Sequence, residues 1–88
     1  MIPDSEKAIL RAVAALKGRV DGMAGEFPCD LSGTKPGCPT GTDVIDYVQD
    51  DLSFFRGETV VIPEEFRQEV LKAYADSYNK VAGRERYG

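Results

Sequence analysis

The chain has 88 residues, of which 42% are hydrophobic and 30% charged, with a formal net charge of −4 and no histidine. That is material for one small domain, and a domain of this size buries only about 60 to 65 per cent of the surface its unfolded chain exposes. The balance argues against bulk disorder and gives the molecule as a whole no electrostatic reason to seek nucleic acid or an anionic membrane.

The acidity is local. Residues 1–25 carry three acidic and four basic side chains, residues 26–57 carry six and two, and residues 58–88 carry six and five. No stretch approaches the roughly 18 apolar residues of a membrane span. The segment MIPDSEKAILRAV is charged and periodic, not a basic patch followed by the apolar core of an export signal. The expectation is a cytoplasmic protein, which weakens the case for a disulfide.

In chain order, the spacing first predicts a helix from Asp4 or Ser5 to Ala24, with either residue as its cap and Gly25 as its stop. Ile9, Val13, Leu16, Val20 and Met23 recur at alternating four- and three-residue intervals and form one narrow apolar seam. Gly18 and Gly22 interrupt the pattern, and each weakens a helix by about 1 kcal/mol relative to alanine.

Residues 25–42 hold Gly25, Pro28, Gly33, Pro36, Gly37, Pro39 and Gly41, so they read as a long connector, pinned to the core by Phe27 and Leu31. A second helix is predicted from Thr42 or Asp43 to Arg56, with Ile45, Val48, Leu52 and Phe55 inward and Gly57 as its stop. ETVVIP, residues 58–63, is a short β-branched run that needs a partner strand. Pro63 as first helical residue, with Glu64 and Glu65 behind it, opens a third helix that runs to Ala82 and stops at Gly83.

The fold expected is mainly α: a small three-helix bundle over residues 1–83, with a long Gly/Pro-rich loop, one short extended segment, and a flexible tail at 84–88. The alternative is an α+β domain in which VVIP pairs with a strand from the 26–35 region.

The sequence assigns no catalytic residue, metal or cofactor. Cys29 and Cys38 have eight residues between them, and with no histidine a zinc site within one chain would need carboxylates such as Asp30. Neither the spacing nor the setting suits a redox pair beside a helix start. As a disulfide the pair would close a ten-residue loop, worth roughly 2 to 3 kcal/mol; as thiols one or both would pack as small apolar groups. SGTKPGCPTGT contains the residue types of a phosphate loop, but Lys35 precedes Pro36 and Gly41 precedes Thr42, so no lysine follows the last glycine. An enzyme is not expected.

The most distinctive surface feature is DVIDYVQDD. Asp43, Asp46, Asp50 and Asp51, with Tyr47 among them, would dock a basic partner. Val60–Arg67, VVIPEEFR, is similar to the strand, Pro, short-helix element of the swapped-hairpin DNA-binding domains. Those domains continue into two further strands, whereas this chain continues into the long helical pattern LKAYADSYNKVAG, and the similarity ends there.

Three functions remain as expectations. The first is a non-enzymatic protein-binding module, such as a small acidic inhibitor, adaptor or regulator, with Asp43, Asp46, Tyr47, Asp50 and Asp51 as its contacts. The second is a homo-oligomeric assembly protein joined by the first helix's seam or by an unpaired VVIP edge. The third is a nucleic-acid-binding regulator using Lys7, Arg11, Lys17, Arg19, Arg84 and Arg86. A chain this small without a recognisable motif is compatible with a phage or mobile-element product acting on a host machine.

Overall fold

The computed structural model describes residues 3–35 and 37–82; the stop expected at Gly83 and the tail expected at 84–88 lie outside them. The three helices form as α1 (Asp4–Met23), α2 (Gly41–Arg56) and α3 (Arg67–Val81), the last entered through a 3-10 turn at Glu64–Phe66. α1 and α3 run parallel, as shown by the pairs Arg11 with Glu69 and Gly22 with Tyr78. α2 runs against α1, with Glu6 on Arg56 and Lys17 on Asp51. The result is a small helical bundle. No strand forms among the described residues, only an isolated Ser32–Thr40 bridge, so the α+β alternative is not realised.

The ends of the helices follow local chemistry. Neither Asp4 nor Ser5 caps α1: Pro3 holds that place, its carbonyl accepting the amides of Glu6 and Lys7 at 3.0 and 3.1 Å, because Asp4 is already helical. α2 begins on a reciprocal capping box. Thr40 Oγ1 accepts the Asp43 amide at 3.1 Å, and the Asp43 carboxylate accepts the Thr40 amide at 3.3 Å. Gly57, at φ 67°, ends α2 in the left-handed conformation that only glycine adopts cheaply. Pro63 stands one place before the 3-10 turn rather than inside a helix.

α1 faces the core differently from the expectation. Its buried positions are Leu10, Ala14, Gly18 and Gly22, spaced four apart, and they lie against α3. The apolar seam points outward, with Leu16 at 66%, Val20 at 57% and Met23 at 56% exposure. The reason is close approach. A Cβ placed on Gly18 would fall under 3.0 Å from the Tyr74 carbonyl, and one on Gly22 would lie 2.5 Å from the Tyr78 carbonyl. The helices can pack at this distance only because those two residues have no side chain.

The remaining core is Val44, Ile45, Val48 and Leu52 from α2, Phe66, Val70, Tyr74 and Tyr78 from the α3 side, and Cys29, Cys38 and Ile62 from the connecting segments. Phe55, expected inward, is 79% exposed, since Leu52 already completes the α2 face at the end of the helix. The extended run finds its partner in α2 itself. Gln49 Oε1 and Ser53 Oγ each accept a backbone amide at 2.8 Å, from Ile62 and Val60 respectively. Two side chains one helical turn apart thus satisfy alternate amides that a neighbouring strand would otherwise take. Ile62 is buried beneath them and Val61 points to solvent.

Tyr74 and Tyr78 are both fully buried. The Tyr74 hydroxyl donates to the Asp21 carboxylate, and the Tyr78 hydroxyl donates to the Gly37 carbonyl at 3.2 Å. Burial, with the Asp21 charge nearby, pushes both phenols above their ordinary value of 10.0. An unfolded tyrosine ionises near pH 10 and these two resist it, so the unfolded state binds fewer protons above that pH. Stability is therefore expected to hold up to about pH 10 and to fall as pH rises further, by up to about 1.4 kcal/mol per pH unit for each phenol. Denaturation at two alkaline pH values checks this against the Tyr74→Phe, Tyr78→Phe double variant, whose curve should flatten. An equal alkaline loss in the double variant would assign the effect to other groups.

Candidate partner-binding surface

The long loop is fastened rather than loose. Cys29 and Cys38 are joined by a disulfide, and both half-cystines are buried. The Asn79 amide on α3 clamps the backbone of Cys29 from both sides, Oδ1 accepting its N–H at 2.7 Å and Nδ2 donating to its carbonyl at 3.2 Å. Asp30 organises the next turn by accepting from the Ser32 amide and hydroxyl at 3.1 and 2.6 Å, and these bonds lower its carboxyl below the usual range. Leu31 is half-buried against the core as expected, whereas Phe27 is exposed. The loop closes the end of the bundle where α1 and α3 finish. In the chain-entropy account a ring of this size is worth about 2.5 to 3 kcal/mol.

The five side chains expected to bind a partner divide in two. Asp43 is committed to the capping box, and Asp51 pairs with Lys17 at 3.7 Å. Asp46 and Asp50 are exposed on the outer side of α2 and make no hydrogen bond or ion pair with other described residues. Tyr47 is exposed beside them, with the Lys17 ammonium 5.5 Å from the centre of its ring. Sequence spacing gathers all five on one helix, but only the fold separates the two that serve α2 and α1 from the two that face solvent with no ion-pair partner among the described residues.

The surface that the sequence reading placed partly in the core is larger. On α1, Ile9, Leu16, Val20 and Met23 form an exposed apolar stripe. Lys17 stands on the flank nearer α2, as its contacts with Asp51 and Tyr47 show. Arg19, two residues on, lies about 200° further round the helix and so on the opposite flank of the stripe. Phe54, Phe55 and Val61 are exposed at the far end of α2. Together these leave seven large apolar side chains exposed on α1, the end of α2 and the extended run. The signal in the sequence was the seam itself, read together with the four-residue spacing of Ala14, Gly18 and Gly22.

The basic residues are scattered. Arg11 pairs with Glu69 at 3.1 Å and stacks on Phe66 with its guanidinium carbon 5.4 Å from the ring centre; Lys7 lies over the same ring at 6.0 Å. Arg84 and Arg86 lie outside the described residues. Glu6, whose carboxyl is lowered by its hydrogen bond from Arg56, ties the start of α1 to the end of α2. Among the described residues no three histidine, cysteine or carboxylate side chains are grouped to hold a metal ion, and no helix is long and apolar enough to cross a membrane. Comparison with known proteins gives no match to a family model, to a curated protein or to a solved structure.

Proposed function

We propose that the chain is a non-enzymatic protein-binding module, of the adaptor, inhibitor or regulator kind, that docks its partner on the outer face of α1 and the adjoining carboxylates of α2. The observation that carries this reading is the outward seam of α1: Leu16, Val20 and Met23 are each more than half exposed, while that helix packs through Leu10, Ala14, Gly18 and Gly22. Fully burying one such side chain is worth roughly 1.5 to 3 kcal/mol. Asp46 and Asp50 supply negative charge to orient a partner with a basic surface, and Tyr47 supplies an amphipathic contact. A cytoplasmic site of action belongs to the same proposal, and the Cys29–Cys38 bond weighs against it because such bonds persist in oxidising compartments.

Affinity capture with tagged protein from a lysate of its host, at moderate salt, tests the reading when wild type is run beside two variants. Leu16→Glu and the Asp46→Lys, Asp50→Lys pair should each lose at least about 30-fold of the retained protein, the effect of removing a contact worth about 2 kcal/mol. Equal retention by wild type and both variants would remove this surface from the account.

A further inference from the structure

We infer that the occupant of the α1 face is a second copy of this chain, held by parallel pairing of the two α1 helices. The inference rests on the reading of that face as a binding surface and adds the identity and orientation of the partner.

The seam carries the first argument. Ile9, Leu16 and Met23 repeat every seven residues, and Val13 and Val20 lie between them, giving a heptad with valine at both a positions and Ile, Leu and Met at d. Val13, Leu16 and Val20 at its centre follow the rule that β-branched residues at a with leucine at d favour two parallel helices. Val13 is half-buried at the edge of the seam and the other four are exposed, so the stripe is already formed on a folded helix and needs no ordering to bind.

Charge carries the second. Arg19 is exposed on the flank of the seam away from α2, and the described residues give it no ion-pair partner. A two-fold axis running along paired, parallel α1 helices sets the partner's α2 on that same flank. The antiparallel register fixed by Glu6 with Arg56 and Lys17 with Asp51 brings the middle of α2, with Asp46 and Asp50, level with Arg19. Each copy's unneutralised cation then meets the other's unneutralised carboxylates, twice by symmetry. Antiparallel pairing would instead lay α2 over α2 and set acid against acid.

Sedimentation of the intact, disulfide-bonded chain over a wide concentration range tests this. The mass should double as concentration rises. Leu16→Glu should remain a monomer throughout with unchanged helicity. Arg19→Glu should weaken pairing at least about 10-fold and regain it when Asp46→Lys and Asp50→Lys are added to the same chain. Mild oxidation of Ile9→Cys should link the two copies through position 9, which only parallel pairing brings together; linkage appearing instead between Ile9→Cys and Val20→Cys chains would overturn the orientation. A monomer at every concentration, or a dimer indifferent to Leu16→Glu, would overturn self-pairing. The capture experiment then separates the two claims, since a different protein retained through Leu16 would leave the α1 face as a binding surface.

Discussion

Gly18→Ala is expected to destabilise the protein by roughly 2 to 3 kcal/mol in chemical denaturation, although the same change in an exposed helix stabilises by about 1 kcal/mol. The sign follows from what the new methyl group meets. Its neighbours on α3 are the carbonyl oxygen, carbonyl carbon and Cα of Tyr74, all backbone, and none can rotate aside as a side-chain end would. The two helices must separate, and the buried contacts around Ala14 and Tyr74 open with them. For a chain of this length, with total stability of roughly 4 to 13 kcal/mol, the loss is a large share. Gly22→Ala should act in the same direction, since Tyr78 presents its carbonyl and Cα there, although one neighbour, the Val81 Cγ2 at 2.7 Å, is able to turn away. Unchanged or increased stability in both variants would mean that α1 and α3 are not packed backbone to backbone.

The glycines also show where sequence reading loses sight of the fold. Periodicity scores the large apolar residues, and on α1 it finds them on the side away from α3. Beyond Leu10 the inward face is written in the small residues Ala14, Gly18 and Gly22, and a propensity argument counts the two glycines as weaknesses of the helix. They carry packing instead. α2 was more legible, because the inward spacing of Ile45, Val48 and Leu52 and the stop at Gly57 agree, although the helix starts at Gly41 on a Thr40–Asp43 capping box rather than at Thr42 or Asp43, and Phe55 turns outward. The extended run was read as a strand in need of a partner; the need was real, but Gln49 and Ser53 meet it, and nothing in their spacing distinguishes this from ordinary polar surface. The cysteine pair was open between a disulfide and two thiols, and the fold joins it.

The candidate surface was legible in part for the same reason. Clustered aspartates are visible in a sequence, but whether each is already engaged is a matter of three-dimensional neighbours. Asp43 is taken by Thr40 and Asp51 by Lys17, which leaves Asp46 and Asp50. The apolar half of the surface was visible as a heptad pattern, and its direction became evident only once Gly18 and Gly22 were seen against α3.

Which way α1 faces is the point on which the packing, the proposed binding surface and the self-pairing all depend. The most direct test is to place one charge on each side of the helix, with Leu10→Glu and Leu16→Glu compared by chemical denaturation at a concentration where the wild-type chain is monomeric. Leu10 is 2% exposed, and a carboxylate there has no partner; the variant should lose on the order of 4 kcal/mol or fail to fold. Leu16 is 66% exposed, and its variant should stay within about 0.5 kcal/mol of wild type. The reverse result, with Leu16→Glu unfolding the chain and Leu10→Glu tolerated, would put the seam in the core and contradict the account.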